Sequence, residues 1–206
     1  MNLSKGMLPS ALRGFEGFKP FWEPRWSKYA VKVAPGEFYV SNSDMVITTV
    51  LGSCISVCIH DPVKKLGGLN HFMLPNSGSN DDLSRSMRYG FFAMEQLINE
   101  LMKYGCRRES LQIKLTGGGE MIRSAINQIG QQNIDFILQY LKDEGLNFIA
   151  SDLGGNRARK VAYFPLEGRM LVNKLDHRED QRLIEEERTF RVDVDSHLDD
   201  TDVELF

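Results

Sequence analysis

At 206 residues, with 42% hydrophobic side chains and a formal net charge of −3, the chain can bury one sizeable core without cross-links. No apolar run is long enough to span a bilayer, and the N-terminus lacks the apolar core and cleavage site of a signal peptide. A cytoplasmic location without membrane insertion is therefore expected, three cysteines in such a chain argue against disulfides, and scattered basic residues argue against nucleic acid.

Residues 1–34 read as an N-terminal arm: FKPFWEPRW mixes aromatic and basic residues with Pro20 and Pro24 and has no steady period. Such an arm either covers a core edge or binds a partner. A compact domain, 35–174, is expected to open at the Pro35-Gly36 turn. EFYVS, MVITTVLG and ISVCIHD are rich in strand formers and bounded by Gly52 and Asp61-Pro62. GGLNHFMLP reads as a further strand ending at Pro75, and NSGSNDDLS as a polar, mobile loop. From Met87 to Tyr104 apolar residues recur at helical spacing and Gly105 stops the pattern. LQIKLTGGG is a strand entering a glycine turn. Ile126 to Gly145 reads as a second helix, with Asn127 or Asn133 as N-cap. LNFIASDLGG, KVAYFPLEG and RMLVNKL complete the strands. Strands come in runs with two helices inserted, so the expected class is α+β with a mostly antiparallel or mixed sheet. Residues 175–206 form an acidic tail; HREDQRLIEEERTF suits a short charged helix, and the remainder suits disorder or partner docking.

The chemistry begins at LGSC. Gly52 and Ser53 place Cys54 at a tight turn between two apolar strands, where successive backbone N–H groups can converge as an oxyanion hole. A lone cysteine is more often a buried small hydrophobe. His71, however, interrupts the apolar strand LNHFMLP, and a thiol needs an imidazole partner to become a nucleophile at neutral pH. The turn HDPVKKLGG between the two strands can bring Cys54 and His71 within reach. Either Thr48 or Thr49 can orient the imidazole. Zinc is disfavoured: in a strand Cys54 and Cys58 stand roughly 13 Å apart at ~3.3 Å per residue, too far to share one ion. Cys58 and Cys106 read as core. TGGGEM lacks the lysine and spacing of a phosphate loop, and DLGGNRARK reads as a turn whose Arg157, Arg159 and Lys160 can hold an acidic substrate stretch.

In order, VLGSCISVCIHDP, GGLNHFMLPNSG, RYGFFAMEQLINEL, LTGGGEM, IGQQN and DLGGNRARKV resemble the chemotaxis protein family CheD, from about Gly36 to Val172. The resemblance implies a glutamine deamidase acting on the cytoplasmic helices of chemoreceptors, with a CheC-type phosphatase as a further partner in some members. It implies a layered α/β sandwich similar to the catalytic domain of cytotoxic necrotizing factor toxins, and no metal or organic cofactor. Carried over by position, it puts the nucleophile at Cys54, the histidine at His71 and the threonine at Thr48, with Thr49 as the alternative. Gly52 and Ser53 would position the oxyanion; Asn70, Arg157, Arg159 and the loop after Pro75 are the expected substrate contacts. Ala158, where the family commonly has glycine, and Gln132, where arginine is common, depart from its pattern.

Overall fold

The computed structural model describes residues 7–75, 80–120, 129–176, 187, 189 and 190, the side chains of 80–85 excepted. Two five-stranded sheets form the body. The first runs β1 (Phe21–Glu23), β2 (Lys28–Lys32), β4 (Val46–Leu51), β9 (Arg159–Phe164), β10 (Arg169–Lys174). The second runs β3 (Phe38–Ser41), β6 (Leu66–Asn70), β5 (Ile55–Asp61), β7 (Gln112–Gly117), β8 (Phe148–Leu153). Each sheet is mixed: β2 lies parallel to β4 and β7 parallel to β8, and the other pairs are antiparallel. The α+β class expected from the sequence is the one observed.

The layering follows from the residues. All seven residues of β5 are buried, as expected for a central strand covered on both faces. On one side the Tyr163 hydroxyl of β9 donates to the Ile59 carbonyl at 2.8 Å, so the first sheet packs directly on β5. Gly67 permits that approach: a Cβ there would stand 2.7 Å from the Tyr163 oxygen. On the other side lie the helices α1 (Asn80–Lys103) and α2 (Ile129–Asp143). A Cβ at Gly68 would meet the Leu97 side chain of α1 at 2.7 Å, so the adjacent glycines of β6 serve the two neighbouring layers. Gly90 of α1 likewise admits the Phe136 ring of α2. Both helices stop at left-handed glycines, Gly105 (φ 81°) and Gly145 (φ 63°), as glycine stops require.

Three expectations change. The stretch read as an arm supplies β1 and β2 to the first sheet, and Phe15, Val31 and Val33 are buried in the core, so it is integral to the domain. Helix α1 starts at Asn80, inside the segment read as a loop; the loop's residues 76–79 lie outside the described residues. Asn133 sits inside α2 rather than capping it, and Asn127 lies outside the described residues. Of the acidic tail, most lies outside the described residues, but Glu187 is buried and Phe190 packs on the core.

Candidate active site

β4 and β5 are joined by the turn that carries Cys54, and the chain treats this turn asymmetrically. All three of its carbonyls accept hydrogen bonds from the neighbouring glycine turn and α2. Gly119 N–H donates to Gly52 O at 2.7 Å, the Asn133 side chain to Ser53 O at 2.9 Å, and Gly118 N–H to Cys54 O at 2.8 Å. With its carbonyls fixed this way, the turn offers its N–H groups to a common point, a concavity suited to negative charge. A carboxylate occupies it. Glu187 accepts from Gly52 N–H at 2.7 Å, Ser53 N–H at 2.9 Å, the Ser53 hydroxyl at 2.7 Å and Cys54 N–H at 3.4 Å. Gly52 is required for this approach, because a Cβ there would stand 2.8 Å from a Glu187 oxygen.

His71 reaches the same place through strand register. Ile55 and Phe72 exchange two backbone hydrogen bonds of 2.9 Å, forming an antiparallel bridge beyond β6. Side chains alternate along strands, so Cys54 and His71 flank this pair on one face, as diagonal neighbours. Both are almost wholly buried. The Thr49 oxygen lies 2.8 Å from His71 Nδ1, and its hydroxyl also donates to Val33 O at 2.8 Å. A hydroxyl has one hydrogen, and Val33 O can only accept, so Nδ1 is the donor to Thr49. The tautomer assigned by this network leaves Nε2 unprotonated. Nε2 is buried and has no hydrogen-bond partner. An imidazole nitrogen with a free lone pair, on the same face as a thiol, is what a general base requires.

Electrostatics describe a quiet resting site. Burial first, and then the Glu187 charge and a hydrogen bond to it, push the Cys54 thiol well above its usual range. Burial lowers His71 to about 4, against the opposing pull of Glu187. Tyr89 of α1 is raised to about 12, by burial and by the nearby Cys54, and its hydroxyl lies against Gly36, which donates to His71 O. Among the described residues no group of three His, Cys, Asp or Glu side chains is arranged to hold a metal ion.

The chain is similar to known proteins over most of its length. The family model described as "CheD chemotactic sensory transduction" matches residues 73–174. A relative from Herminiimonas arsenicoxydans is 44% identical over 189 residues, covering 90% of this chain and 93% of its own length. One from Saccharophagus degradans is 41% identical over 206 residues, covering 97% and 94%. Both carry the name "Probable chemoreceptor glutamine deamidase CheD". The chain belongs to the CheD family.

The expected CheD site residues divide clearly once placed. Cys54, His71, Gly52 and Ser53 converge. Thr48 does not: its hydroxyl donates to Val31 O at 3.0 Å, and consecutive strand residues face opposite ways, so Thr49 is the threonine on His71. Asn70 also corrects the expectation of a substrate contact. It is buried, accepting from Val57 N–H at 2.9 Å and donating to Ala93 O at 3.1 Å, which ties β5 to α1. Arg159 is buried as well. It binds Asp152 at 3.0 Å and the carbonyls of Arg157 and Gly154, holding the DLGG turn against the glycine cluster rather than facing a substrate. Arg157 donates to Leu175 O at 2.7 Å and is half-buried. Cys58 and Cys106 are buried free thiols, as read. Of the departures, Ala158 is fully buried, and its carbonyl accepts from Leu175 N–H at 2.9 Å. The residues that the motifs contained without disclosing their roles are Asn133 in IGQQN, Tyr89 in RYG, and Gly118 and Gly119 in TGGGEM.

Proposed function

We propose that the chain hydrolyses glutamine side chains to glutamate on the cytoplasmic part of chemoreceptors, with Cys54 as nucleophile. The observation that carries this reading is the free Nε2 of His71, held by Thr49 on the face that bears Cys54, beside N–H groups already binding a glutamate carboxylate. Relatives alike over nearly the full chain, and named as chemoreceptor glutamine deamidases, supply the substrate class.

The steps follow from the geometry. With a glutamine in place of Glu187, the carboxamide oxygen points into the N–H groups of Gly52, Ser53 and Cys54. Nε2 takes the thiol proton, the sulfur attacks the carboxamide carbon, and the oxyanion is held by donors fixed in advance. Such donors are each worth about 10²–10³ in rate. The imidazolium returns its proton to the departing ammonia, leaving a thioester. Water, deprotonated by the same Nε2, cleaves the thioester and releases glutamate. Thr49 keeps the ring in one tautomer throughout. The residues supply every proton transfer, so the proposed reaction uses no cofactor.

Each turnover adds one negative charge to a receptor helix, which supports a role in tuning adaptation. A CheC-type phosphatase is the proposed further partner. The packed mixed sheets with a Cys–His–Thr constellation also support the expected likeness to the cytotoxic necrotizing factor catalytic domain. Peptide mass spectrometry tests the substrate: a chemoreceptor cytoplasmic fragment incubated with the chain gains glutamate at particular glutamines. A fragment left unchanged, under conditions where the two proteins bind, would favour an adaptor instead.

A further inference from the structure

Glu187 lies more than a hundred residues from the turn it fills, in the acidic tail that the mechanism does not use. Its carboxylate is buried, and a buried carboxylate is costly unless hydrogen-bonded. Four donors satisfy it, and all four belong to the segment Gly52 to Cys54. The Glu187 charge also raises the Cys54 thiol, after burial, which is the larger cause. Three residues further on, Phe190 provides a second anchor. Its ring packs on Gly36 beside the Tyr89 hydroxyl, where a Cβ added to Gly36 would lie 3.3 Å from each. Gly36 is itself tied to His71, donating to its carbonyl at 2.8 Å. Residues 187, 189 and 190 are helical, and positions three apart share one helix face, so one face grips the nucleophile turn and the histidine strand together.

From this arrangement we infer that Glu187 is a built-in product mimic: the tail places a glutamate side chain in the cradle that receives the substrate glutamine, and so holds the enzyme closed to substrate. The inference rests on the deamidase reading and extends it to regulation of the same site. Glutamate is the product of glutamine deamidation, and its side chain matches the substrate's in length. A substrate glutamine and Glu187 require the same N–H groups, so their binding is mutually exclusive. The acidic residue is poised against the thiol yet has no bond to exchange. It occupies the N–H groups that a substrate needs until a receptor displaces it.

The decisive variant is E187Q, which turns the mimic into a substrate. In the full-length chain the introduced amide is expected to be hydrolysed in place. Cys54 sulfur bonds to the amide carbon, the C–N bond breaks, and ammonia leaves with the proton relayed by His71. Water then cleaves the C–S bond, restoring the thiol and leaving glutamate. Peptide mass spectrometry of purified E187Q should read glutamate at position 187, whereas the double variant E187Q/C54A should keep the amide. A second variant, F190A, keeps Glu187 in the chain but removes the apolar anchor that holds it in the cradle. By letting the carboxylate leave the cradle more often, it should raise the rate of Cys54 alkylation by iodoacetamide several-fold. E187A should do the same and deamidate a receptor fragment faster than the wild type. An E187Q chain that keeps its amide while deamidating receptor fragment overturns the mimic and leaves the function standing. In-place conversion with no action on receptor fragment upholds the mimic and overturns the receptor as substrate. Slower alkylation in both E187A and F190A would mark the contact as structural support and end the proposal.

Discussion

Thr49→Ala is expected to lower kcat for glutamine deamidation by about 10²-fold, the usual cost of a catalytic group displaced by about 1 Å, with little change in KM. The hydroxyl is the only partner described for His71 Nδ1 through a side chain, at 2.8 Å, and it is itself fixed by Val33 O. Without it the imidazole can rotate or protonate at Nε2, and either change removes the base from the thiol. The buried nitrogen left unpaired should also cost about 1–3 kcal/mol of stability. Thr48→Ala is the matched control. It loses a hydrogen bond of 3.0 Å to Val31 O without touching His71, so stability falls by about 1 kcal/mol and kcat stays close to wild type. Steady-state ammonia release and urea unfolding of the two variants separate these roles. Equal losses of kcat would remove Thr49 from the mechanism.

Gly117→Ala should cost about 2–4 kcal/mol, combining overpacking with a left-handed backbone that alanine resists. The residue has φ 118°, and a Cβ there would stand 2.1 Å from the Cys54 carbonyl oxygen, closer than any repacking tolerates. Because that carbonyl is one of the three fixing the nucleophile turn, activity should fall further than stability alone explains. Gly155→Ala isolates the backbone effect. Its φ is 77° but no atom lies within 4 Å of the added Cβ, so a loss of about 1 kcal/mol with near-normal kcat is expected. Denaturant midpoints alongside kcat check both variants.

The strands of the domain and the two helices were legible because their signals are local: β-branched runs bounded by turns, helical spacing, and glycine stops. Cys54 and His71 were legible for a different reason, as polar groups interrupting apolar strands. What stayed hidden depends on direction or on distance in the chain. Thr48 and Thr49 differ only in which face of β4 they occupy, and register with β2 decides that. Asn70 and Arg159 look like exposed substrate contacts by residue type, yet burial commits both to holding the core. The β1–β2 hairpin has too little period to announce a strand, and its place comes from pairing with β4. Glu187 sits in a run of glutamates whose composition reads as solvated tail. Nothing in that run marks the one residue that would find a hole more than a hundred positions away.

The account stands on Cys54 as the nucleophile driven by His71, and ammonia release from a glutamine-bearing receptor fragment tests it most directly. The wild-type chain should release ammonia in step with glutamate formation. Cys54→Ala, folded to the same unfolding midpoint or better, should fall by about 10⁴–10⁶-fold, the range seen when a covalent nucleophile is removed. Ammonia release surviving in Cys54→Ala would contradict the account and return Cys54 to the status of a buried structural thiol.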